Sequence, residues 1–188
     1  MDPTKLLEAD HRQVEDLFDR IEAAEGAPRR SLVDELTTVL LAHMELEETV
    51  LYPAMVRVTG EEEVVEGENE HEVARVGLGE MLELVDEPGF GAAREATRAG
   101  IAHHVEEEEN DLFIQLRKDG TVLAEIATAF VATRLELGLP MDADALEAAS
   151  TKDELLAEAR SAGIEGAASM TKAELAAGLA EVMAGTGS

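Results

Sequence analysis

The chain has 188 residues, of which 45% are hydrophobic and only 3% aromatic, and it carries a net charge of −27 with no cysteine. The missing cysteines exclude disulfides, thiolate metal sites, iron–sulfur clusters and cysteine nucleophiles, and the dominance of Ala, Leu, Val and Glu favours an all-α fold over a β-sandwich or barrel. The acidic excess argues against nucleic acid and anionic membranes as partners, and no apolar run approaches the ~20 residues that span a bilayer.

The start, MDPTKLLEADH, lacks the basic and apolar regions of a signal peptide, so a soluble cytoplasmic protein is expected. Asp2 can cap a first helix with Pro3 at its first position, and Leu7, His11, Val14, Phe18 and Ile21 then form one stripe that stops near Gly26. After Pro28, the stripe Leu32, Leu36, Val39, His43, Glu47 and Val50 predicts a second helix that Pro53 kinks or ends. Beyond Thr59 and Gly60, Val64, Glu68, His71, Arg75, Leu78, Leu82 and Val85 mark a third helix, terminated by Pro88 and Gly89. A fourth, from about Gly91 to Lys118, carries Ile101, His104, Glu108, Leu112 and Gln115 along one side and stops at Asp119 and Gly120. Residues 121–137 read as a fifth helix.

The expected organisation is therefore a four-helix domain with an extra helix over residues 1–138, a linker over 139–150 that contains Pro140 and small acidic residues, and a small module over 151–184. That module holds two short helices, each beginning Thr-Lys-x-Glu-Leu, with Gly185 to Ser188 frayed at the end.

Four of the five histidines occupy one inner-stripe position on each of four successive helices. His43 with Glu47, and His104 with Glu108, form HxxxE pairs whose members stack one turn apart and point the same way. A carboxylate on an apolar stripe is costly without a compensating positive charge, and two facing ones repel, so cations between the helices answer both difficulties. Imidazole and carboxylate without thiolate suit iron, manganese or zinc, and helical bundles build dinuclear sites from inward His and Glu. Glu47 and Glu108 are the candidate bridges.

The plainer reading of one such histidine is a hydrogen-bonded core residue, and of one such pair a surface i,i+4 contact within the acidic MELEE and VEEEEND runs. The joint pattern favours a metal site. His103 points about 100° away from His104 around the helix and is expected to be exposed, or to sit behind a ligand, rather than to bind metal itself. Tyr52, the only tyrosine, lies one to two turns beyond Glu47, either within reach of the centre as a hydrogen-bond donor or phenolate ligand or at the boundary with its hydroxyl in water. Glu68 and His71 make one ExxH, the pair of ferritin-like di-iron bundles, which need two.

The segments LLEADHRQVEDLFDRIE, LLAHMELEETVLYPAM, NEHEVARVGL and AHHVEEEENDLFIQL resemble the hemerythrin-like HHE cation-binding domain over about residues 1–120. Aligning HMELEETVLYP with HVEEEENDLFI selects His104 over His103. The resemblance implies an up-down four-helix bundle with metal ligands at His11, His43, Glu47, His71, His104 and Glu108, holding two non-haem iron ions bridged by oxo or hydroxo. It departs from the oxygen-carrying hemerythrins in two places: Arg75 stands four residues after His71 where they have a second histidine, and HxxxE replaces their HxxxxD. Fewer histidines leave open positions for hydrogen peroxide, dioxygen or nitric oxide.

Two functions follow as expectations. One is a peroxide-consuming oxidoreductase, catalase-like or using a co-substrate such as nitric oxide; the other is an iron, oxygen or nitric oxide sensor signalling through the tail. A purely structural helical protein is the third reading. The tail also resembles the helix, extended loop, helix fold of Rho N-terminal and SAP-like domains, through LLAEARSAGIEG and MTKAEL. Its acidic balance and lack of aromatics remove the usual nucleic-acid footprint and leave a protein partner as the expectation.

Overall fold

A computed structural model describes residues 1–118 and 120–185, so the Asp119 half of the expected helix stop and residues 186–188 of the expected frayed end lie outside the described residues. Helix α1 spans Pro3–Ala23, with the Asp2 side chain accepting from Thr4 N at its start. Helix α2 spans Gly26–Leu46. It begins two residues earlier than Pro28 suggested, because Gly26 adopts φ +58 and turns the chain without steric cost. Arg29 Nε donates to the Ala24 carbonyl at 2.8 Å and closes the joint.

Pro53 does not end the second helix. Instead α2 runs into a π-helical turn over Glu47–Leu51 and continues as α3, Tyr52–Met55, with Pro53 in its first turn, where a missing N–H costs least. Gly60, at φ +105, precedes α4, Glu61–Leu84. After the Pro88–Gly89 turn, α5 spans Phe90–Glu107, a second π turn covers Glu108–Leu112, and α6 spans Phe113–Lys118. Helix α7 covers Gly120–Glu136.

Contacts between α1 and α2, α2 and α4, α4 and α5, and α5 and α1 close the bundle. Its apolar interior falls into two clusters. One gathers Val14, Phe18, Leu36, Leu78, Met81 and Phe90 at one end. The other gathers Leu6, Leu7, Leu51, Phe113 and Phe130 at the opposite end. The polar layer described below lies between them.

The stretch expected to link the two parts contains a helix of its own, α8, Ala143–Ala149, capped by Asp142. Its short run of small residues shows no stripe in sequence, yet Ala145, Leu146 and Ala149 are buried. Helices α9, Lys152–Ser161, and α10, Lys172–Gly185, follow, with a Thr151–Glu154 capping box at the start of α9. Thr171 and Glu174 bond in the same reciprocal way before α10. Leu155, Leu175 and Leu179 join the same apolar cluster as Leu6 and Leu7, and α8 packs on both α1 and α10. Among the described residues there is no strand, and no helix is long and apolar enough to cross a membrane.

Candidate metal centre

One histidine from each bundle helix enters the layer between the two apolar clusters: His11 from α1, His43 from α2, His71 from α4 and His104 from α5, all buried. Glu47 and Glu108 join them, each fully buried at 0% exposure. Each glutamate opens one of the two π turns, and its carbonyl accepts from the residue five positions on, Tyr52 N for Glu47 and Phe113 N for Glu108. Proline cannot be the common cause, since the second turn has none; what the turns share is a preceding HxxxE pair. π turns inside α-helices frequently mark functional sites.

The extra residue in each π turn shifts the inward phase by one. Leu51 and Tyr52 are buried after Glu47, whereas the expected Val50 is only half-buried, and Leu116 takes the inward place expected of Gln115. On α4, Gly67 faces inward and Glu68 is exposed. A Cβ at position 67 would stand 2.7 Å from the Tyr52 hydroxyl, so the tyrosine ring occupies the space that a larger inward residue would need. The ferritin-like ExxH reading ends with Glu68 in solvent.

Two groups of donors share one carboxylate. His11, His43, Glu47 and Glu108 bring four ligand atoms within 4.8 Å of one another, and Glu47, His71 and His104 bring three. Glu47 Oε2 lies 3.3 Å from both His43 Nε2 and His71 Nε2. Glu108 spans the other diagonal, with Oε2 3.4 Å from His11 Nε2 and Oε1 3.7 Å from His104 Nε2. His71 Nε2 and His104 Nε2 are 3.0 Å apart. Tyr52 is buried, with its hydroxyl 3.2 Å from His71 Nε2, so the boundary alternative for this residue does not hold.

A cation fits this donor set. Both carboxylate oxygens of Glu47, both of Glu108 and Nε2 of His11 are buried with no hydrogen-bond partner. Orphaned buried acceptors are expensive, and here they converge on shared points among nitrogen and oxygen donors that suit first-row metals. The electrostatics agree: burial pulls the His43 imidazole down, but the Glu47 and Asp10 carboxylates outweigh it and hold it well above its usual value. His11 and His71 are raised in the same way against burial, by Glu108 with Glu109 and by Glu47 with Glu48. Burial pushes the Glu47 carboxyl up, and His43 and His71 prevail and hold it well below the carboxylate range. The layer demands positive charge, whether from protons or from metal. Burial, reinforced by the Glu47 and Glu108 charges, raises the Tyr52 phenol far above its usual value, so the hydroxyl keeps its proton.

Four orienting carboxylates complete the layer, and the sequence reading missed all of them. His43 Nδ1 meets Asp10 Oδ2 at 3.2 Å, His71 Nδ1 meets Glu48 Oε1 at 2.8 Å, His104 Nδ1 meets Glu70 Oε2 at 2.8 Å, and His11 Nδ1 meets Glu109 Oε1 at 2.8 Å. Such partners fix the tautomer and aim Nε2 at a metal. Each is the sequence neighbour of a residue in the buried layer, Asp10 of His11, Glu48 of Glu47, Glu70 of His71 and Glu109 of Glu108, but serves the histidine of an adjacent helix. The local signal was an acid beside four of the six inward His and Glu residues, His11, Glu47, His71 and Glu108, hidden among 42 acidic residues.

His103 is exposed and faces Glu107 at 3.4 Å and Glu70 at 3.9 Å, away from the buried layer. A family model described as Hemerythrin HHE cation binding domain matches residues 2–116, a span that contains all six buried His and Glu residues. No curated protein and no solved structure matches the chain.

Proposed function

The chain belongs to the hemerythrin HHE cation-binding domain family, and on that premise we propose that it is a non-haem di-iron protein that reacts with hydrogen peroxide, catalase-like or nitric oxide peroxidase-like, or with dioxygen. The observation that carries this reading is Glu47, whose one oxygen lies 3.3 Å from a histidine of each donor group. His11, His43, Glu47 and Glu108 would hold one ion, and His71, His104 and Glu47 the other, with Glu108 reaching across. Bound there, the irons would supply Lewis acidity and exchangeable electrons.

The chain's own residues set what can reach them. A cavity of about 20 Å³ lies among His11, His43, His71 and His104, walled by Val14, Leu40, Met44 and Ile101. That is room for about one water-sized molecule, which favours dioxygen, nitric oxide or peroxide over larger co-substrates. The His71 side has three donors against four, so it is the more open, and the Tyr52 hydroxyl stands beside it as a proton-bearing hydrogen-bond donor.

The test is iron per chain together with the visible spectrum, before and after adding hydrogen peroxide while oxygen release is recorded. About two irons per chain, as dinuclear bundle sites hold, with rapid oxygen evolution supports the enzyme. Two irons without turnover supports the second reading, a sensor, which the burial of Leu155, Leu175 and Leu179 in the bundle's own apolar cluster favours. In that reading the C-terminal helices, SAP-like in sequence, contact a protein partner. No bound metal overturns both.

A further inference from the structure

Arg134, on α7 and beyond the residues matched by the family, is the largest fully buried side chain among the described residues, at 1% exposure. A buried guanidinium is costly unless its donors are matched. Here they are: Nη1 donates to Asp10 Oδ2 at 2.6 Å, Nη2 to Asp10 Oδ1 at 2.5 Å, and Nε and Nη2 to the Pro140 carbonyl at 3.0 and 2.7 Å. Asp10 is equally buried, and its Oδ2 is also the oxygen on His43 Nδ1.

The other orienting carboxylates are held differently. Glu48 meets Arg75, whose side chain is 28% exposed, and Glu109 meets Arg12, which is 58% exposed. Glu70 is approached by His103 at 3.9 Å. Pairs in reach of water, half-buried as at Arg75 or exposed as at Arg12, are held less firmly, whereas a planar fork on a carboxylate out of water leaves that carboxylate one orientation. Asp10 therefore has a fixed position from which to aim a ring, and the ring it touches is His43, whose Nε2 faces Glu47 Oε2.

We propose that Arg134 is a positioning residue for the candidate centre: by clamping Asp10 it sets the orientation of the His43 ring, so the segment after the family-matched residues completes one side of the metal site. The same guanidinium pins the Pro140 turn that leads into α8, which joins the centre to the C-terminal helices through one side chain. This rests on the metal-site reading above.

The experiment is titration of the full chain, stripped of metal, with Co²⁺, following affinity and the visible absorption bands. Arg134→Lys keeps the charge and loses the fork, and should weaken Co²⁺ binding ~10–100-fold with shifted bands, the range typical of orienting partners. Asp10→Asn should do the same, and the double variant should be no weaker than Asp10→Asn alone, because Arg134 acts through Asp10. Arg20→Lys, at a surface pair with Asp16 and Glu35 remote from the layer, should leave both readouts unchanged. An Arg134→Lys protein with wild-type affinity and superimposable bands overturns the proposal, as does a double variant whose loss is the product of the two single losses. Should Arg134→Lys not fold, Asp10→Asn decides, since wild-type affinity and bands there remove the link. A wild-type chain that binds no Co²⁺ instead removes the metal-site reading itself.

Discussion

The bundle is two halves of similar design, and they differ at few points. His11 corresponds to His71, His43 to His104, Glu47 to Glu108 and Asp10 to Glu70, and the ring pairs His11–His43 and His71–His104 cross at 65° and 68°. Even the residue after each π turn matches: Tyr52 stacks on His71 and Phe113 on His11. The differences are a hydroxyl on the His71 side alone, four donors against three, and a buried arginine behind Asp10 with no counterpart behind Glu70. Near-symmetry builds two donor groups around one shared carboxylate; the departures give one group an arginine-clamped acid and the other a neighbouring hydroxyl.

Removing the shared element should have the largest effect. Glu47→Ala takes a ligand from both donor groups and should abolish metal binding, whereas Glu108→Ala, which belongs to one group, should leave about one ion per chain by elemental analysis. Equal loss in the two variants would erase the distinction between the halves.

pH separates protons from metal as the source of positive charge. His11, His43 and His71 are raised in the fold, so the stability they contribute to chelator-stripped protein is full below about 6.5, the free imidazole value, and is lost as pH rises through their raised values. Glu47 is lowered, so its contribution is present above the ordinary carboxylate value and disappears as pH falls through its depressed one. Stripped protein should thus have its highest melting temperature in mildly acidic solution and lose it on the alkaline side, while metal-loaded protein should not. A parallel alkaline loss in both forms would remove this account.

Smaller effects test the open side. Tyr52→Phe makes the halves alike at that position and should retain both ions while slowing peroxide consumption. Gly67→Ala should mimic it, because the new Cβ would meet the hydroxyl at 2.7 Å and force the ring aside. Wild-type turnover in both would leave Tyr52 without a part in the chemistry. The smallest change belongs to His103→Ala, whose exposed ring faces Glu107 and Glu70; metal content and spectrum should match wild type, and loss of metal would move the ligand assignment by one residue.

Much of this was legible in the chain itself. The α1 stripe reads directly from spacing, because α1 is a regular helix whose every inward residue follows one period, and the HxxxE pairs are visible because an i,i+4 step is local. Val50 and Gln115 were misplaced for the same local reason: a π turn inserts one residue into the count, and no signal short of the packed layer announces it. Glu68 and Gly67 were indistinguishable by period, each lying three or four residues from Val64 and His71, until Tyr52 filled the space beside Gly67. α8 was invisible because its buried residues are mostly alanines.

The amino-acid pattern alone therefore determined the bundle helices, the four inward histidines and the two glutamates that share their stripes, since each depends on residues within one or two turns. Only the tertiary structure decided which acids orient the rings and what holds those acids. The Asp10–His43 contact spans 33 residues and the Arg134–Asp10 clamp 124, and helical periodicity carries no information across such separations. Those contacts exist because a buried charge is costly without a partner, and the packing of helices settles which partner is within reach.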